Sequence, residues 1–96
     1  METFNLKAGL RIGVASAPTQ IEGGDVEHSW NEWADRGMIK DNTSPRRAAG
    51  HFQLWQEDIK LMRKMRIKAY RMGLEWARIE PRQGEFDQQA IDFYRK

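Results

Sequence analysis

The chain has 96 residues, 40% of them apolar and 31% charged, with sixteen basic and fourteen acidic side chains for a net charge of +2. That is one small domain at most, apolar enough for a packed core, and its intermixed charges argue against the basic stripe of a nucleic-acid binder. The absence of cysteine excludes a disulfide framework, a thiolate metal site and a Cys nucleophile, and no apolar run approaches the ~20 residues of a membrane span.

The N-terminal stretch METFNLKAGLRIG has an early Glu and no apolar block. It does not read as a secretory signal, so a cytoplasmic location is expected. From Leu10 the sequence reads LRIGVASA, with Leu10, Ile12 and Val14 alternating with Arg11, Gly13 and Ala15. This period of two predicts a short strand with one very small face. PTQIEGGD follows and reads as a loop, punctuated by Pro18, Gly23 and Gly24. His28 to Arg36 predicts two helical turns stopped at Gly37, and Asp41 to Pro45 is again loop chemistry.

The strongest helix signal runs from about Ala48 to Arg66. Phe52, Trp55, Ile59, Met62 and Met65 fall on one stripe at three- and four-residue steps. Glu57 and Asp58 precede Arg63, Lys64 and Arg66, the order a helix dipole favours. Ile67 to Leu74 returns to a period of two: Tyr70, Met72 and Leu74 on one face, Ala69, Arg71 and Gly73 on the other. After a turn over Pro81 to Gly84, Asp87 is placed to cap a last helix whose apolar side begins with Ala90, Ile91, Phe93 and Tyr94. Strand, loop, helix, strand, loop, helix is a βα repeat with parallel strands. Two such strands leave unpaired edges and a half-covered surface, so residues 1–96 are expected to be an N-terminal piece of a larger α/β domain, marginally stable by itself.

Ligands in parallel α/β folds bind at the carboxyl ends of strands. Two segments qualify, Ser16 to Gly24 and Arg71 to Pro81. Arg71 lies opposite the apolar residues 70 and 72, which are expected to meet the helices. It therefore points to the interior of a barrel or crevice, where a guanidinium must be paired. It either holds a carboxylate that does chemistry or belongs to a structural ion pair. Gln20, in the loop after the first strand, has an amide suited to adjacent sugar hydroxyls or to backbone groups of its own loop. Glu22 and Glu75 each follow a strand. Retaining glycosidases need two carboxyls ~5–5.5 Å apart, but nothing in the sequence fixes this separation, and salt bridges to Arg71 or Arg78 account for both. His28 and His51 lack metal-ligand spacing, and His51 reads as a loop or capping residue. Trp55 belongs to the helix stripe, whereas Trp76 is the candidate for a site wall, or packs. No metal set and no phosphate-binding glycine loop is present.

The blocks GVASAPTQIEGG, HSWNEWADRGMI, HFQLWQEDIKLMRKMRIKAYRMGLEWARIEP and GEFDQQAIDFYRK resemble, in order and spacing, the N-terminal part of glycoside hydrolase family 1, the β-glucosidase family. The resemblance covers nearly the whole chain. It implies the first two βα units, roughly, of a (β/α)8 TIM barrel and hydrolysis of β-glycosides with retention, by two glutamates and with no cofactor. It maps Gln20 onto the glutamine that binds the sugar in the innermost subsite, and Arg71 onto the arginine that pairs with the nucleophile. His51 and Trp76 fall near the barrel wall. The family's Asn-Glu-Pro and Glu-Asn-Gly blocks, which carry the catalytic glutamates, do not occur here. The expected function is thus that of a β-glucosidase whose residues 1–96 supply glycone binding and support of the nucleophile, with a carbohydrate substrate and no catalytic residue in this segment, which should be inactive alone. A 6-phospho-β-glycosidase of the same family and a non-catalytic barrel-scaffold or carbohydrate-binding piece are the alternatives. The chain departs from the family's usual Tyr-Arg-Phe-Ser-Ile at Met72, Gly73 and Leu74, and from Thr-Ser-Ala-Tyr over Ser16-Ala17-Pro18-Thr19.

Overall fold

Two strands, β1 (Gly13–Ala15) and β2 (Ala69–Arg71), run parallel, with Gly13 opposite Ala69, Val14 opposite Tyr70 and Ala15 opposite Arg71. Between them come α1 (Pro18–Ile21), α2 (Ser29–Asp35) and α3 (His51–Lys64). After β2 come α4 (Trp76–Ile79) and α5 (Gln88–Arg95) in the computed structural model, which describes residues 2–96. Parallel partners need a long crossover, and the segment carrying α3 provides it. The α/β class and the βα order expected from the pattern are both present.

The stripe on α3 packs as its spacing requires. Phe52, Trp55, Ile59 and Met62 are half-buried, while Met65, just past the helix, is 66% exposed. Phe52 and Trp55 meet Phe93 of α5, with ring centroids 4.3 and 6.3 Å apart. The helix ends in a paired-bond C-cap: Arg66 N–H donates to Arg63 O and Ile67 N–H to Met62 O, both at 3.0 Å. Arg66 adopts φ 57° there, a left-handed position that usually belongs to glycine. At the other end Gly50, at φ 68°, starts the helix, later than the periodicity suggested from Ala48. On α5 the expected cap is formed: Asp87 Oδ1 accepts from the N–H groups of Gln89 and Ala90, at 2.8 and 3.2 Å. His28 caps α2, its Nδ1 accepting the Asn31 N–H at 3.1 Å.

Three expectations need correction. Both strands are shorter than their alternation implied, although single bonds extend the ladder at each end, Lys68 N–H to Ile12 O and Ser16 N–H to Arg71 O, each 2.9 Å. The face expected to meet the helices is only partly covered. Tyr70 is half-buried, but Leu10, Ile12, Met72 and Leu74 are 58, 45, 46 and 51% exposed. Their pattern encodes a partner surface that two strands and α3 do not supply. The stretches read as loops contain α1 and α4, each a single helical turn. Pro18 opens α1 at the first helical position, after extended Ala17. The Glu75 side chain opens α4 by accepting the Ala77 N–H at 3.4 Å. Among the described residues the buried apolar core is correspondingly small: Val26, Ile79 and Ala90. Among the described residues no helix is long and apolar enough to cross a membrane.

Candidate functional site

Alternation decides what each strand residue can reach. Val14 and Tyr70 are half-buried, whereas their neighbours Ala15 and Arg71 are exposed on the other face. Tyr70 shares a cavity of about 290 Å3 with Trp55, Ile59 and Phe93, which places it under α3 and α5. Its hydroxyl bonds Ser16 Oγ at 2.7 Å. Arg71 therefore belongs to the sheet face turned away from the helices, beside Ala15. It forms no ion pair among the described residues.

Gln20 follows the carboxyl end of β1 and Arg71 ends β2, so both stand at the same end of the parallel pair. Gln20 is exposed on α1 and lines an open hollow of about 520 Å3 with Trp30, Ile39, Thr43 and Pro45. Neither Arg71 nor Trp76 lines that hollow. Trp76, 56% exposed at the start of α4, donates its indole N–H to Glu80 Oε2 at 2.8 Å. Glu80 Oε1 accepts the Gly84 N–H at 2.8 Å. These two bonds, the Gly84 one foremost, hold the Glu80 carboxyl below its ordinary range.

The two loop carboxylates do different structural work: Glu75 accepts the Ala77 N–H, and Glu22 is held from α4 and α5. Glu22, 5% exposed, accepts Arg78 Nε at 2.9 Å and the Tyr94 hydroxyl at 2.7 and 2.8 Å through its two oxygens. Arg78 also donates to the Gly23 carbonyl, and its guanidinium lies 3.9 Å over the Phe52 ring. Tyr94 in turn accepts the Glu75 N–H at 3.1 Å. Burial first, and the bond to Glu22 second, push the Tyr94 phenol above its ordinary value. Of the two arginines considered for Glu22, Arg78 is the partner and Arg71 is left free to face the open side. His51, which opens α3 as expected, is also occupied: its Nδ1 lies 2.6 Å from Asp58 Oδ2. The Glu22–Arg78–Tyr94 cluster had no local signature, because its members lie 56 and 72 positions apart.

The chain is similar in sequence and in backbone path to known proteins. Beta-glucosidase A of Thermotoga maritima is 34% identical over 103 residues, covering 100% of this chain and 23% of that protein. The solved family 1 β-glucosidase from Thermotoga maritima superposes with a TM-score of 0.81 at 33% identity, over 94% of this chain and 22% of its own. The AHE enzyme from Alicyclobacillus herbarius gives 0.84 at 29% identity, over 99% and 23%. This chain thus spans about a quarter of the length of the relatives it matches. The superpositions extend over 94–99% of this chain, so its backbone path is shared with these enzymes. Residues 3–96 match the model of Glycosyl hydrolase family 1, and the chain belongs to that family.

Proposed function

We propose that residues 1–96 form the N-terminal quarter of a retaining β-glycosidase of β-glucosidase type, the first two βα units, roughly, of a (β/α)8 barrel that hydrolyses O-linked β-glycosides. The position of Arg71 carries the reading: a guanidinium at the carboxyl end of β2, on the sheet face turned from the helices, next to the loop that bears Gln20. In a closed barrel that face is the interior and that end is where chemistry occurs. Arg71 keeps the nucleophilic glutamate ionised and oriented, since an adjacent cation lowers a carboxylate's pKa. Gln20 donates and accepts hydrogen bonds with sugar hydroxyls, and the exposed face of Trp76 forms part of the wall. The two glutamates of the double displacement lie outside residues 1–96. The segment alone therefore binds and supports without turning over.

The test compares the 96-residue chain with a complete enzyme that carries it, either its own full chain or Thermotoga maritima Beta-glucosidase A with the matched stretch exchanged. The complete enzyme should release chromophore from a nitrophenyl β-glucoside, with the β-anomer of the sugar appearing first by proton NMR. The isolated chain should release none. First appearance of the α-anomer, or no hydrolysis by the complete enzyme, would refute the proposal.

A further inference from the structure

We infer that Glu22 is a positioning residue for Gln20: clamped by Arg78 and Tyr94, it fixes the end of α1 and so the direction of the Gln20 amide. This rests on the reading of Gln20 as a sugar-binding group. α1 is a four-residue turn whose N-cap, Ala17, has no capping side chain. A turn that short does not hold itself, because helix nucleation is unfavourable without outside support. The support is at its other end. Glu22 is the C-cap, with its N–H donating to Pro18 O at 2.8 Å and its carbonyl accepting the Phe52 N–H at 3.3 Å. Its carboxylate is anchored on α4 through Arg78 and on α5 through Tyr94. The next carbonyl, Gly23, accepts a second bond from Arg78. Gln20, two residues upstream, points into open space, where the path of the α1 backbone is what aims its amide. Tyr94 also receives the Glu75 N–H, so the same hydroxyl joins the loop after β1 to the loop after β2, which follows Arg71.

The experiment is a double-mutant cycle in the complete enzyme described above. Glu22→Gln keeps the shape of the side chain and weakens both anchors, and Tyr94→Phe removes one anchor without touching Glu22. Each should lower kcat/KM for the nitrophenyl β-glucoside about tenfold. In a Gln20→Ala background either change should cost less than about twofold further, because there is no amide left to aim. Equal losses with and without Gln20 would overturn the inference and reduce the cluster to a stabilising role. Amide hydrogen exchange on the same complete enzyme gives a second readout that needs no activity. In Tyr94→Phe the amides of Gln20 and Glu22 should exchange about tenfold faster while the central amides of α3 keep their protection. Unchanged exchange at Gln20 and Glu22 would also overturn it. If the unsubstituted complete enzyme is inactive, the sugar-binding reading fails, and the exchange result still decides whether Glu22 orders α1.

Discussion

Replacing Gly73 by alanine should destabilise the chain, and the reason is a single neighbour. A Cβ built at Gly73 would lie 2.9 Å from Pro18 Cδ and 3.4 Å from its Cγ. The first distance is shorter than real Cβ contacts allow, and a proline ring at the start of α1 has little freedom to give way. Overpacking of this kind costs about 1–3 kcal/mol, against which the lower unfolded-state entropy of alanine returns about 0.4–1 kcal/mol. The net expectation is a loss of up to about 2.6 kcal/mol. In a Pro18→Ala background the clashing atoms are gone, and the same substitution should become neutral or stabilising by up to about 1 kcal/mol. Urea unfolding of the four chains at low protein concentration, followed by circular dichroism, measures both steps as shifts in the midpoint. The sign change is the test. A stabilising Gly73→Ala in the presence of Pro18, or an equal penalty without it, would refute the contact.

Arg78→Met should cost about 3–5 kcal/mol, since it leaves Glu22 buried without its cation; adding Glu22→Gln should recover part of this loss, and a double variant as unstable as the sum of the singles would contradict the buried pair. Arg66→Gly should stabilise by roughly 1 kcal/mol, because the residue sits at φ 57° in the C-cap of α3; a loss of stability would argue against that geometry. The lowered pKa of Glu80 means its contribution is present above the ordinary glutamate range and is lost as pH falls through the folded value. Acidification should therefore loosen the turn to Gly84 and change the Trp76 emission, read as the difference between the chain and Trp76→Phe; an acid-insensitive difference would contradict the two hydrogen bonds.

How much of this was legible in the sequence depended on range. The α3 stripe and the Asp87 cap are local patterns, and both appeared where the spacing placed them. The alternation around Tyr70 and Arg71 also sorted the faces of β2, because a period of two leaves only two directions. It overstated strand length, since Leu10, Ile12, Met72 and Leu74 are patterned for surfaces that residues 2–96 do not provide. The single turns α1 and α4 escaped because one turn has no periodicity; Pro18 after an extended residue was the only available cue to α1. Glu22 was legible as a salt-bridge residue but its partner was not. The choice of Arg78 over Arg71 is made by the parallel register, which sends Arg71 to the opposite face.

The central claim is that Arg71 faces the interior of the catalytic barrel and holds its nucleophile. Steady-state kinetics of Arg71→Met in the complete enzyme, with a nitrophenyl β-glucoside, tests it most directly. The expected result is a fall in kcat of about 100-fold or more, with a smaller change in KM and a displaced acidic limb of the pH profile. Near-normal kcat with an unchanged pH profile would contradict it.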